Sequence, residues 1–375
     1  MANEKNPYEI DFEEYIRYTD ASKKDKTLAW STAIGLQQVD GLTPSAYLYE
    51  TAKRNIEGEL SFDEAKNLID SYYQSRTAKN EDDDDRTEEA DKVSSRIAQI
   101  LSEPSFNFSP SHLIAIHKRL FEGIFKFAGK IRDYDITKKE WVLNGDTVMY
   151  GAAFELKMAL DYDFEQERNF NYRGLSMDET IQHITSFVSR LWQIHAFGEG
   201  NTRTTAVFTI KYLRSLGFKA DNDIFAQNSW YFRNALVRAN YTNLKKGIHE
   251  NPVYLERFFR NLLLGEKNEL KNRYTHIDYD EYMKLQSGGQ KNKGGQKRWS
   301  ETTQKVFNLI KANPHISRKQ LCDELNINPS AVQKHIEKLK AQNSIKRQGG
   351  AKGGHWEIIR TEGEEHGRKY ADKAF

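Results

Sequence analysis

Apolar residues recur at helical spacing along most of the chain. In DETIQHITSFVSRLWQI, Ile181, Ile184, Val188, Leu191 and Trp192 share one face, which predicts a core-packed helix of about four turns. In RTTAVFTIKYLRSLGF, Val207, Ile210, Leu213 and Leu216 recur at three-residue steps, and Gly217 stands where a C-cap belongs. The turn between these two helices lies in HAFGEGNTRTTAVF, residues 195–208. Nearer the N-terminus, TPSAYLYETAKRNI offers a Thr-Pro-Ser start and sets Leu48, Ala52 and Ile56 on one face. SFDEAKNLIDSYY pairs Ser61 with Glu64 at capping-box spacing. One stretch departs from the helical period. DYDITKKEWVLNGDTVMYG, residues 133–151, carries β-branched and aromatic residues on both sides of Asn144-Gly145-Asp146, which predicts a β-hairpin.

The C-terminal portion reads differently. SETTQKVFNLIKA, SRKQLCDELNI and NPSAVQKHIEKLKAQ are three short amphipathic segments, with Pro329 placed for the first turn of the third. SIKRQGGAKGGHWEIIR then reads as a small hairpin with a Gly-rich tip. Three helices and such a hairpin suggest a winged helix-turn-helix. Two stretches look like linkers. AKNEDDDDRTEEAD, residues 78–91, is self-repelling and reads as an exposed loop or a helix lead-in. QSGGQKNKGGQKRWS, residues 286–300, reads as a flexible tether. The organisation expected is a helical N-terminal segment (1–77), a mainly α central domain with a short hairpin (78–285), the linker (286–300), the winged helix (301–360) and a tail (361–375).

Composition narrows the class. With 38% apolar and 29% charged residues, the chain reads as soluble and globular. No run approaches the ~18 apolar residues of a membrane span, the N-terminus has no signal-like apolar region, and Cys322 is the single cysteine, so a cytoplasmic protein without a membrane partner is expected. The net charge of +2 hides an asymmetry: residues 286–360 hold fifteen Lys and Arg against five Asp and Glu. That is an electrostatic footprint for DNA, with Lys334, Lys338 and Lys340 on or at the end of the recognition helix and Arg347 and Lys352 on the wing. Protein docking or dimerisation is the alternative use of such a module, so a homodimer stays open.

The turn at 195–208 carries the candidate chemistry. Gly-Glu-Gly-Asn ahead of a helix leaves its first amides free, and with the helix dipole they make an anion site. Arg203 adds a fork of donors for phosphate oxygens. Glu199 could hold a hard divalent cation, and His195 titrates near neutrality, as a general base should. Together these suit a nucleotidyl or phosphoryl transferase; an ordinary helix–helix turn with a solvated His is the plain alternative.

The stretch resembles the signature of the Fic family, His-Pro-Phe-x-(Asp/Glu)-Gly-Asn-Gly-Arg-x-x-Arg, set between two helices as in that family. FEGIFKFAGKIRDYDI resembles the lead-in to that family's target-holding flap, and YFRNALVRANY the helix that closes its nucleotide pocket. The resemblance covers about residues 88–265. It implies a protein adenylyltransferase that uses ATP as substrate with Mg²⁺. His195 would deprotonate a Ser, Thr or Tyr hydroxyl of a target protein, which attacks the α-phosphate. Phe197 would anchor the loop, Glu199 would hold Mg²⁺, and Gly200, Asn201 and Thr202 would bind phosphate. Arg203 would neutralise leaving-group charge, and Asn240 would touch the base. The flap, around Trp141, Val142, Val148 and Tyr150, would add a strand to the target.

This chain departs from the pattern in several places. Ala196 replaces Pro. Thr202 replaces the second Gly, and a β-branched residue resists a left-handed backbone, so an altered phosphate cradle is expected. Ala206 stands where the family has its second Arg. Doc-type toxins share these last two departures and phosphorylate their targets, which makes phosphotransfer the runner-up. A transcription regulator with a non-catalytic core is a third reading. Residues 33–69 resemble the small antitoxin module that inhibits Fic enzymes. That module's motif, (Ser/Thr)-x-x-x-Glu-(Gly/Asn), aligns with Leu36 and Asp40-Gly41, so both partners of the inhibitory ion pair are altered. Weak or absent inhibition through that pair is expected.

Overall fold

The computed structural model describes residues 21–75, 82–220, 223–279, 301–325, 329–341, 344–348 and 354–359. Two compact units divide the chain, residues 1–287 and 288–375. The linker expected at 286–300 and the tail at 361–375 lie outside the described residues.

In the first unit the described helices are α1 (Ala21–Gly35), α2 (Ala46–Glu57), α3 (Phe62–Ser75), α4 (Asp82–Ser102), α5 (Pro110–Phe121), α6 (Leu156–Asn169), α7 (Met177–Ile194), α8 (Asn201–Ser215), α9 (Ile224–Ala239), α10 (Val253–Leu264) and the single turn α11 (Asn272–Thr275). The local signals act as expected. Ser45 caps α2 by accepting the Leu48 amide, and Ser61 and Glu64 bond reciprocally at the start of α3. Ser176 and Glu179 form a second capping box at the head of α7. Beyond α8, Gly217 takes a positive φ of 88° while the Phe218 amide returns to the Leu213 carbonyl.

The acidic run at 78–91 leads into a helix, and part of that run is structural. Asp91 on α4 is fully buried and accepts from the Ser45 amide (2.8 Å), the Ser45 hydroxyl (2.5 Å) and the Tyr73 hydroxyl (2.7 Å). One carboxylate thus ties α2, α3 and α4 together. Helix α1 packs on α4 and on α9, and a Cβ at Gly35 would meet the Ala226 carbonyl oxygen at 2.3 Å. The N-terminal helices therefore share one core with α5–α10.

The hairpin expected around Asn144-Gly145 is not built as paired strands. Trp141–Leu143 winds into a 3₁₀ turn, with Asn144 and Gly145 both at positive φ. The Glu140 amide does reach the Asp146 carbonyl at 2.9 Å, so the chain reverses there. Side chains in the arms bond to α9 and to the chain just beyond it, and no ladder is built. Glu140 is buried against Arg233 (2.7 Å), and Asp146 accepts from the Tyr241 hydroxyl (2.7 Å).

The second unit holds α12 (Glu301–Ala312), α13 (Arg318–Leu325) and α14 (Pro329–Ala341), followed by antiparallel strands β1 (Ile345–Gln348) and β2 (His355–Ile358). Its own core comprises Val306, Ile310, Leu321, Val332, Ile336, Leu339 and Trp356 among others. This is the three-helix-plus-hairpin order expected from the sequence.

Candidate active site

The site forms where α7 ends and α8 begins. His195 closes α7 in a left-handed conformation (φ 51°), which is costly for a residue with a Cβ and persists only where its surroundings impose it. Arg132 imposes it here. Its amide donates to the Ala196 carbonyl (2.9 Å) and its Nε to the His195 carbonyl (2.8 Å), while the guanidinium also reaches the Tyr134 and Gly151 carbonyls. The His195 ring is buried, with Tyr150 at 4.2 Å and Trp192 at 5.3 Å between centroids. Among the described residues neither ring nitrogen has a hydrogen-bond partner. Burial pushes this imidazole well below its ordinary pKa, and the Lys138, Arg132 and Arg233 cations push the same way. The ring is therefore neutral near pH 7, with one nitrogen lone pair free to accept a proton.

The loop that follows is fastened at several points. Phe197 is buried and stacks on His117 at 3.7 Å. Asn201 bridges the loop, accepting from the Phe197 amide (3.0 Å) and donating to its carbonyl (2.7 Å). The Gly129 amide donates to Nδ1 of His117, so Nε2 carries the proton and donates to the Glu199 carbonyl at 3.0 Å. Burial lowers the His117 pKa to about 4, and Arg203 adds to the shift.

Gly200 (φ 77°) is the N-cap of α8, and a Cβ there would sit 2.4 Å from the Phe121 ring. The left-handed position of the loop is thus Gly200. Thr202 lies inside the helix with its hydroxyl accepting from Trp192 Nε1 (3.0 Å), so the expected conflict between a β-branched side chain and a left-handed backbone does not arise. Ala206 is completely buried in α8.

Arg203 is turned towards the N-terminal segment. Its NH1 donates to Gln37 Oε1 (3.0 Å) and its NH2 to Glu89 Oε1 (2.5 Å). Its Nε lies 2.8 Å from Asp40 Oδ2, close enough for an ion pair but off the hydrogen-bond axis. The guanidinium also stacks on Phe121 at 4.9 Å and is almost wholly buried. Asp40 and Gly41 are held in turn, both carbonyls accepting from Arg86.

Glu199 is exposed and pairs with Lys138 Nζ at 2.7 Å. Among the described residues no three His, Cys, Asp or Glu side chains converge as a metal site. One carboxylate fits Mg²⁺ when nucleotide phosphates and water supply the remaining ligands.

The other expected residues fall in varied places. Asn240 ends α9 with its amide donated to the Ser189 and Leu236 carbonyls. On the flap, Trp141 is half exposed against His276, Val142 and Val148 are buried in the core, and the Tyr150 hydroxyl donates to Glu140. In the second unit Lys334 and Lys338 are exposed on α14, whereas Lys340 and Arg347 lie over the Trp356 ring at 5.4 and 4.9 Å. Lys352 lies outside the described residues. Reading the sequence missed His117, Arg132, Lys138, Gln37 and Glu89, all far along the chain from the loop they hold.

One short loop thus joins the buried His195 at the end of α7 to the glycine-capped N-terminus of α8. Residues 107–213 match the Fic/DOC family, and residues 300–346 match the winged helix-turn-helix DNA-binding family. The chain therefore carries a Fic/DOC domain and a winged helix-turn-helix. It is 31% identical over 169 residues to the protein adenylyltransferase VbhT of Bartonella schoenbuchensis, covering 40% of this chain and 34% of that protein. It is 26% identical over 121 residues to the probable protein adenylyltransferase Fic of Salmonella typhimurium, covering 32% of this chain and 56% of that one. The chain thus spans about a third to about half of these relatives' lengths. Among solved structures, a Fic family protein from Desulfovibrio desulfuricans aligns at 11% identity and TM-score 0.40 over 94% of this chain and 91% of its own. An ADP-bound Fic domain from Bartonella quintana aligns at 21% identity and TM-score 0.38, over 51% and 92%. Among the described residues no helix is long and apolar enough to cross a membrane.

Proposed function

We propose that the chain is a protein adenylyltransferase that moves AMP from ATP to a hydroxyl side chain of another protein. The observation that carries this reading is His195: a buried, neutral imidazole with both nitrogens unpaired, set one short loop ahead of a helix N-terminus. A ring nitrogen takes the proton of the acceptor Ser, Thr or Tyr hydroxyl as its oxygen bonds to the α-phosphorus. The bond to the pyrophosphate oxygen breaks, and pyrophosphate leaves. The first amides of α8, from Gly200 to Thr202, face the phosphates, where partial positive charge stabilises the developing negative charge. Glu199 would hold Mg²⁺, with Lys138 displaced from it; the ion would supply charge neutralisation at the phosphates. Arg203 would serve leaving-group charge only after turning from Asp40, Gln37 and Glu89. The names of the two curated relatives support adenylyl transfer.

Phosphotransfer is the second reading, favoured by Ala206 in place of an arginine and by the engagement of Arg203. The winged helix would carry the chain to DNA or to a DNA-bound target, with Lys334 and Lys338 free to meet phosphates. The test is intact-mass spectrometry of the full chain and of candidate acceptors after incubation with ATP and Mg²⁺. A gain of about 329 Da that disappears in His195→Ala supports adenylyl transfer, and a gain of about 80 Da supports phosphotransfer instead. No gain, together with no ATP binding by calorimetry and a regulatory output unchanged in His195→Ala, overturns the enzymatic reading.

A further inference from the structure

The chain leaving the flap passes the end of α7 at Gln193, two residues from His195. The Gly151 amide donates to the Gln193 carbonyl (3.2 Å), and the Gln193 side chain donates to the Met149 carbonyl (3.1 Å). The chain then enters α6, whose inner face, Leu156, Leu160 and Phe164, is buried. From this point four large apolar side chains stand in solvent: Met149 at 84% exposure, Phe154 at 86%, Met158 at 66% and Tyr162 at 62%. Phe154, in the 3₁₀ turn Ala153–Glu155 that leads into α6, and Met158 and Tyr162 on α6 are four residues apart, so they form one row about 12 Å long. Single exposed apolar residues are ordinary, but a contiguous row is not.

Two features identify what covers the row. The four side chains expose on the order of 500 Å², below the ~800 Å² per partner of a stable protein–protein interface and suited to a transient contact such as an enzyme makes with its acceptor. The charge around them is one-sided. At 3.6 residues per turn, exposed Asp161 and Glu165 share the face of the row and exposed Glu155 stands at its start, while Lys157 and Arg168 lie farther round the helix.

We propose that this row docks the acceptor protein, through an amphipathic helix whose apolar side chains pack on Phe154, Met158 and Tyr162 and whose Lys or Arg flanks meet Glu155, Asp161 and Glu165. The inference rests on the adenylyltransferase reading for what is done to the docked protein. The docking itself needs no nucleotide. Amphipathic helices are read through anchors at such four-residue spacing, and the row continues the chain that leaves the flap at the end of α7.

The probe is a synthetic 18-residue Leu/Lys amphipathic helix carrying one Ser, with a Leu/Glu helix of the same pattern as control, and binding is read by fluorescence anisotropy without ATP. The full chain and His195→Ala bind the Leu/Lys helix alike. The double substitution Phe154→Ser, Met158→Ser weakens binding about ten-fold or more, with ATP affinity and melting temperature unchanged. Glu155→Gln with Asp161→Asn weakens it and flattens its salt dependence. Equal binding by the Ser variant, equal binding of the Leu/Glu helix, no binding to the full chain, or sedimentation showing a dimer that the Ser variant abolishes overturns the proposal. Because His195→Ala retains docking, failure of adenylyl transfer is separable from failure of the dock.

Discussion

Acid should loosen the candidate active site through His117, before any catalytic group is considered. The ring accepts from the Gly129 amide at Nδ1, donates to the Glu199 carbonyl from Nε2, and stacks on Phe197. A second proton at Nδ1 would break the Gly129 bond and place a buried cation near Arg203, and the pKa falls accordingly from 6.5 to about 4. Between those values the unfolded chain binds a proton that the folded chain refuses. Stability is therefore complete above pH 6.5 and is lost as pH falls towards 4, and at 1.36 kcal/mol per unit the loss is about 3 kcal/mol. His195 is shifted in the same direction, so the measurement belongs in a His195→Ala background. Urea unfolding at pH 7.5 and pH 4.5, with and without His117→Gln, isolates the contribution. Because pH 4.5 lies two units below the unfolded value, the chain with His117 should lose about 2.5 kcal/mol more than the chain with Gln. Imidazole resonances followed by NMR should place the native His117 titration near 4. Coincident pH slopes, or a native titration near 6.5, would refute the reasoning.

Two further substitutions test the loop and its N-terminal contact. Gly200→Ala combines a left-handed backbone, costing about 1–2 kcal/mol, with a Cβ 2.4 Å from the Phe121 ring, adding about 1–3 kcal/mol. Gly217→Ala has the first cost without the second, so its melting temperature should fall less; equal losses would contradict the clash. Asp40→Ala should leave transfer activity unchanged and cost less than about 1 kcal/mol, because Asp40 is partly exposed and Gln37 and Glu89 still hold Arg203. A large activation by Asp40→Ala would show instead that Asp40 restrains the site. Removing Glu89 as well leaves a buried cation short of carboxylates, and the pair of substitutions should cost about 3–5 kcal/mol, more than the sum of the singles.

Much of the molecule was legible from short stretches. The caps at Ser45, Ser61 and Gly217, the face of α7, and the three-helix-plus-hairpin order of the second unit follow from residues within a few positions of one another. The single face expected of α8 does not hold, because that helix is buried on every side from Asn201 to Leu213 while Leu216 is exposed. The candidate site residues His195, Glu199, Gly200 and Asn201 are likewise neighbours in the chain, joined by one loop. The same local logic misjudged the flap, where the Asn-Gly signal produced a chain reversal without strands. It also misjudged Thr202, because which loop residue takes a positive φ depends on where α8 begins.

The sequence by itself determined most of the elements and the candidate loop between α7 and α8, because backbone hydrogen bonding, capping and amphipathic spacing act over a few residues. The tertiary structure alone decided how that loop is held and what its arginine meets. Arg203 finds Gln37 and Glu89 from 166 and 114 positions away, and His117 meets the Glu199 carbonyl from 82. Burial then sets the protonation of His117 and His195, since desolvation depends on every neighbour that excludes water and leaves no trace in any short stretch of sequence.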